Sequence, residues 1–176
     1  RGVWVYQANN QIKVDLGELQ FDNNDAAGSA TGSYQSGGKS IGVLNLDGRL
    51  HRSAADRVHA YLPLVLPANV RTWVKESIKP DSTKGMQVRD TEFRVRGDLA
   101  DFPFVEPSSG EFFIKTQLSN ASLAYAPGWP EVSDITGKLT FERDGMLLKA
   151  THGKIHGVVL SDVEASFKSF SSGILH

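Results

Sequence analysis

Between Phe112 and Phe167 apolar and polar residues alternate almost without interruption. Ile135, Leu139 and Phe141 are apolar at odd positions, while Lys138, Thr140 and Glu142 face the other way. A period of two belongs to a strand with one buried and one wet face. Met146, Leu148 and Ala150 form one side of the next run, opposed by Leu147, Lys149 and Thr151. Val163, Ala165 and Phe167 then alternate with Asp162, Glu164, Ser166 and Lys168. Asp144-Gly145, between two such runs, predicts a hairpin turn. The stretch reads as an antiparallel meander with one apolar face and no catalytic centre.

Upstream the same alphabet recurs with more interruptions. An extended segment, Val3 to Gln7, meets a turn at Asn9-Asn10, and Ile12, Val14 and Leu16 alternate with Lys13 and Asp15. Gly17 breaks the phase before Leu19 and Phe21, which predicts a bulge or bend. Asp22 to Lys39 has little to bury, with a weak strand at Ala30 to Tyr34 and a loop at Ser36-Gly37-Gly38. Ile41 to Leu46 is a further strand, closed by a second turn at Asp47-Gly48. Phe93, Val95 and Leu99 oppose Glu92, Arg94, Arg96 and Asp98, before Asp101-Phe102-Pro103-Phe104 breaks the run. The apolar parity set by Phe112, Ile114 and Leu118 reverses by Ala121 and Leu123, so a bulge is expected near Ser119-Asn120.

One section departs from the period of two. Ser53 is a candidate cap for a helix running to Leu62, Pro63 ends it, and Pro67 suits the first turn of another. Val70, Trp73, Val74 and Ile78 then fall at spacings of three and four, a single apolar stripe that must lie against something. The expected fold is mainly β with minor α: a twisted, curved antiparallel sheet with a short helical pair at 53–79. Residues 1–50 supply the first strands and 85–170 the C-terminal meander, within a single domain or a fragment of a longer repetitive β protein.

Composition narrows the function classes. The chain has 176 residues, a formal net charge of −1 and no cysteine. There is thus no general electrostatic case for nucleic acid, and no thiol chemistry. No window approaches the length of a membrane-spanning helix. The chain opens Arg1-Gly2-Val3-Trp4, already as a strand, and reads as a piece of something longer. His152 and His156 share a strand face, but no third or fourth metal ligand stands with them in the pattern. Asp98 and Asp101 with Arg94 and Arg96 fit a wet face better than acid–base work. Ser36-Gly37-Gly38-Lys39 lacks the spacing of a phosphate loop. Tyr125 and Trp129, set among prolines, suit either a structural corner or contact with an interface. No cofactor or metal is expected, and no nucleophile–base pair for a hydrolase.

Three stretches in order, YLPLVLPANVRTWVKESI, GDLADFPF and LAYAPGWPEVSDITGKLTFERDGMLLKA, resemble the YhdP family of AsmA-like bacterial envelope proteins. The resemblance runs from about Leu44 to Phe167. It implies a section of a large protein held in the inner membrane by an anchor outside this stretch. That section would lie in the periplasm of a Gram-negative bacterium, beside neighbouring sections of the parent chain. The family's curved β-groove is thought to carry phospholipid between the two membranes. It implies further that Phe93, Val95, Leu99, Ile114, Ile135, Leu139, Phe141, Met146 and Leu148 contact acyl chains. The competing expectation is a structural or protein-interaction module whose apolar face is a closed core. The residues alone leave those two open.

Overall fold

The computed structural model describes residues 3–8, 11–37, 40–55, 57, 71–72, 75–76, 85–124, 128 and 130–169, and of residues 7 and 8 the backbone alone. Strands β1 (Val3–Ala8), β2 (Gln11–Asp22), β3 (Ala26–Gly37), β4 (Ser40–Ser53), β5 (Gln87–Asp98), β6 (Gly110–Leu123), β7 (Val132–Glu142) and β8 (Gly145–Ile155) pair in chain order, each antiparallel to the next. β9 (Val158–Leu160) and β10 (Val163–Phe167) both pair with β8, along Gly153–Ile155 and Met146–Ala150 respectively. They form one edge ribbon, broken at Ser161-Asp162. Among the described residues β1 pairs only with β2, and β10 only with β8. The result is one open ten-stranded sheet.

Bulges shape this sheet. The register shifts between Leu16 and Leu19 in β2, where Gly17 interrupts the alternation, and again between Leu118 and Ala121 in β6, at Ser119-Asn120. Others fall between Arg89 and Glu92 and between Ser133 and Thr136. Asp90, Asn120, Asp134 and Asp162 all have left-handed backbone, which Asp and Asn tolerate better than most residues. Each extra residue bends its strand and increases the local twist.

Three turn or strand expectations need correction. Glu142 pairs with Gly145, so the β7–β8 loop is Arg143-Asp144, one residue earlier than Asp144-Gly145. Arg143 takes the left-handed conformation, its backbone N–H donates to Phe112 O at 3.1 Å, and its guanidinium donates to Phe104 O and Gly110 O. Asp47-Gly48 is not a turn. β4 continues through it, paired on both sides with β3 and β5, and position 48 is glycine because the Phe93 ring fills the space its side chain would take. The stretch 26–37 is a full strand rather than a weak one; Ala26, Ala27 and Ala30 are buried between β2 and β4.

The helical pair expected at 53–79 is not supported. Ser53 is the last residue of β4 and pairs with Val88 and Ala26 instead of capping a helix. Ala54 N–H then donates to Asp25 O at 2.6 Å, and Arg57 N–H donates to Ala54 O at 3.1 Å. Arg71, Thr72, Lys75 and Glu76 have helical backbone, but no helix of seven residues or more occurs among the described residues. Val70, Trp73, Val74 and Ile78 lie outside the described residues, as do Asn9-Asn10, Tyr125 and Trp129.

Candidate functional site

Paired residues of an antiparallel ladder project from the same face, so the register assigns each side chain to a side of the sheet. Leu19 pairs with Ala30, Ala30 with Gly48, and Gly48 with Phe93. The row continues through Ile114, Phe141 and Met146 to Phe167. A second row runs Phe21, Gly28, Leu50, Thr91 over β2–β5 and continues past the β5 bulge as Thr116, Leu139, Leu148, Ala165 over β6, β7, β8 and β10. A third joins Val3, Leu16, Gly32, Leu46, Val95 and Phe112. No acidic or basic side chain stands in any of these rows. One apolar face therefore crosses the whole sheet.

Glycines fit this face to close curvature. A Cβ on Gly28, Gly32 or Gly137 would overlap the carbonyl oxygen of Arg49, Asn45 or Lys149 on the adjacent strand. Glycines and bulges are the two devices that let a sheet bend sharply. The face is thus a groove-like surface rather than a flat one. Its central polar pair is self-satisfied: Thr116 donates to Arg89 O, freed by the β5 bulge, at 3.1 Å and accepts from Thr91 at 2.7 Å. Buried hydroxyls without such partners would be costly.

The two ends of the face differ. On β5–β8, Leu118, Ala121, Ile135, Leu148 and Ala150 form one buried cluster, and Val95, Phe104 and Phe112 another. Phe104 belongs to the β5–β6 connection. After the tight turn Leu99–Asp101 that connection folds back onto the apolar face, where Phe104 is 0% exposed. Leu44 and Leu46 pack against it. On β1–β2 the same face is open: Val5 is 64% exposed, Ile12 42% and Leu19 41%. Between those residues and Leu46 and Leu50 on β4 runs the small-residue floor Ala26, Gly28, Ala30 and Gly32.

The opposite face is polar. Asp47 binds Arg94 Nε at 2.5 Å and Arg96 Nη2 at 2.7 Å, and Arg94 reaches Glu111 at 3.3 Å. Burial pushes the Asp47 carboxyl up, but hydrogen bonds and charge from Arg96 and Arg94 outweigh it and hold the group below its ordinary value. The Asp47 hydrogen bond holds Arg94 above its own. Lys149 and Glu164 pair across β8 and β10 at 3.3 Å, and Lys154 binds Asp134 at 2.7 Å, lowering that carboxyl. These are interlocked surface charges. Among the described residues no three His, Cys, Asp or Glu side chains gather as a metal site would require. His152 lies on β8 and His156 in the β8–β9 turn.

Of the residues singled out in the sequence, Phe93, Val95, Ile114, Ile135, Leu139, Phe141, Met146 and Leu148 all stand on the apolar face. Leu99 does not belong to the strand; it sits in the turn after β5 and packs beside Val95 and Phe112. Ile135, Met146, Leu148 and Val95 are buried. Sequence reasoning missed the open residues Val5, Ile12 and Leu19 as part of the same surface. The alternation in β2 carried that signal. What it lacked was the register joining β2 to Phe93 through Ala30 and Gly48.

A family model described as YhdP protein matches residues 1–175. Over 174 residues the chain is 26% identical to the intermembrane phospholipid transporter YhdP of Escherichia coli strain K12, an alignment covering 83% of the chain and 13% of that protein. The chain therefore spans only a small part of the curated relative it matches. No solved structure matches. Among the described residues no helix is long and apolar enough to cross a membrane.

Proposed function

The chain belongs to the YhdP family, and from that premise we propose that its apolar sheet face is a non-enzymatic segment of a conduit for phospholipid acyl chains. The observation that carries this reading is the uncharged face that runs over β1 to β8 and β10, left open on β1–β2 in a sheet with no second layer among its described elements. Such a surface is an aggregation hazard in water unless something apolar covers it. Each CH₂ it shields is worth about 0.8 kcal/mol. A charged headgroup fits only at its margin. The segment works in the periplasm as part of a parent chain anchored in the inner membrane, its edge strands meeting neighbouring sections of that chain.

Within the face, we assign the moving acyl chain to β1–β4, over the floor of Ala26, Gly28, Ala30 and Gly32. Phe93, Ile114, Leu139 and Phe141 form the wall beside it. Ile135, Met146, Leu148 and Val95 support that wall from within. Their burial favours the closed-core reading for that part of the sheet alone. In the full-length parent, Leu19→Asp is expected to fold, because the open groove hydrates the new carboxylate, and to block phospholipid transfer between membranes. Gln20→Asp, on the polar face, is expected to transfer normally. Normal transfer by a folded Leu19→Asp protein would contradict the assignment.

A further inference from the structure

The polar face holds a feature that lipid transfer leaves unused. Lys13, Gln35, Val43 and Asp98 are consecutive cross-strand partners, as are Asp15, Ser33, Asn45 and Arg96. Over Lys13, Ser33, Gln35, Val43, Asn45 and Asp98 lies a cavity of about 430 Å³, also bordered by Gln11 and Ser40. That volume falls within the range of small-molecule sites, roughly 300–1,000 Å³. Among the described residues the side chains of Gln11, Ser33, Gln35 and Asn45 make no hydrogen bond or ion pair, so four amide or hydroxyl groups converge there unspent.

Asp98 is the fixed element of the cavity. Its Oδ1 accepts from Ser40 Oγ and from Ala100 N–H at 2.9 Å, while Ser40 Oγ itself accepts from Gly42 N–H at 3.0 Å. Its other oxygen has no partner among the described residues. Lys13 is held by Asp15 at 3.1 Å, so the one cation among the described residues that line the cavity is already paired. An anionic ligand would meet the Asp98 carboxylate with no unpaired cation among those residues to balance it. Amides and hydroxyls both donate and accept, which matches ligand hydroxyls that do the same.

Two exposed aromatics stand on the same face, on the edge strand next to β2. Tyr6 pairs with Lys13 and Trp4 with Asp15, and the two rings are 57% and 50% exposed. Two positions apart on one strand, they present faces about 7 Å apart. The electron-rich ring face attracts polarised C–H groups, such as those lining one side of a pyranose.

We propose that the polar face of β1–β5 binds an uncharged oligosaccharide, stacked on Trp4 and Tyr6 and hydrogen-bonded by Gln35, Asn45 and Asp98. The ligand is either a free glycan or the sugar headgroup of a lipid. The test is saturation-transfer NMR on the full-length protein with triacetylchitotriose. Sedimentation with phosphatidylcholine vesicles, with and without a glycosyl diacylglycerol, runs beside it. Transfer to the free sugar identifies a glycan site, and sedimentation only with the glycosylated vesicles identifies a headgroup site. Either signal should weaken about tenfold or more in Gln35→Ala/Asn45→Ala and in Trp4→Ala. Phospholipid transfer on the other face should be unchanged in both, which also reports that they fold. Binding to neither probe, equal binding to plain vesicles, or binding indifferent to these substitutions would overturn the proposal.

Discussion

The first four strands and the last six share one apolar face but use it differently. On β5–β10 large side chains interlock: Ile135 is 2% exposed, and Phe104 folds back from a loop to cover Val95 and Phe112. On β1–β4 the floor is alanine and glycine, and Val5, Ile12 and Leu19 beside it stay open. Cross-strand packing of large residues stabilises a sheet. Small residues stabilise it less but leave a trough. The difference separates a part that holds the sheet's shape from a part with room for a ligand.

Aspartate substitutions test that division most severely. Ile135→Asp buries an unpaired charge and is expected to cost more than ~4 kcal/mol, enough to abolish a cooperative melt by circular dichroism. Leu19→Asp, on the same face in the open half, is expected to stay within about 1 kcal/mol of the parent sequence. Equal losses at both positions would erase the distinction. Next in size, Phe104→Ala should cost ~3–5 kcal/mol, as truncation of a buried aromatic does, and should leave the β5–β6 connection detached from the face. Hydrogen exchange at residues 99–109 reads the second effect.

A smaller loss is expected from Gly32→Val. The added carbons collide with the Asn45 carbonyl and force the β3–β4 backbone apart, at a cost of ~1–3 kcal/mol by analogy with overpacked cores. The same change fills the floor, so lipid transfer should fall further than stability does. The smallest effect is acid sensitivity. Asp47, Asp98 and Asp134 all have lowered folded-state values, Asp98 chiefly through the Ser40 hydroxyl. Their contribution is therefore complete above the ordinary value of 3.8 and fades as pH falls below it through the lower folded values. Asp47→Asn should flatten the acid limb of a circular-dichroism titration without moving stability at neutral pH by much, because exposed ion pairs contribute little there.

How much of this was legible depended on where each signal resides. Alternation in β2, β5, β7 and β8 showed strands and their apolar parity directly, and the parity reversal after Leu118 marked the Asn120 bulge. Asp90 and Asp134 could not be told from Asp15 and Asp47, which sit inside strands without left-handed backbone, and no parity change drew attention to them. Asp47-Gly48 misled because its meaning lies across the ladder, in Phe93. β3 was faint because Ala, Gly and Ser carry no amphipathic contrast; its strand exists through the neighbours on both sides. The candidate groove was half visible. Its wall, from Phe93 to Leu148, stood out by hydrophobicity, whereas its floor consists of residues defined by how little they fill.

The claim that the open face carries acyl chains is tested most directly by neighbouring positions on opposite faces. A photo-crosslinking amino acid is placed singly at Leu19 or Ala30, and at Gln20 or Ser29, in the full-length protein within cells. Phospholipid adducts are expected at Leu19 and Ala30, and none above background at Gln20 and Ser29. Adducts at all four positions, or none at Leu19 and Ala30 in a folded protein, would contradict it.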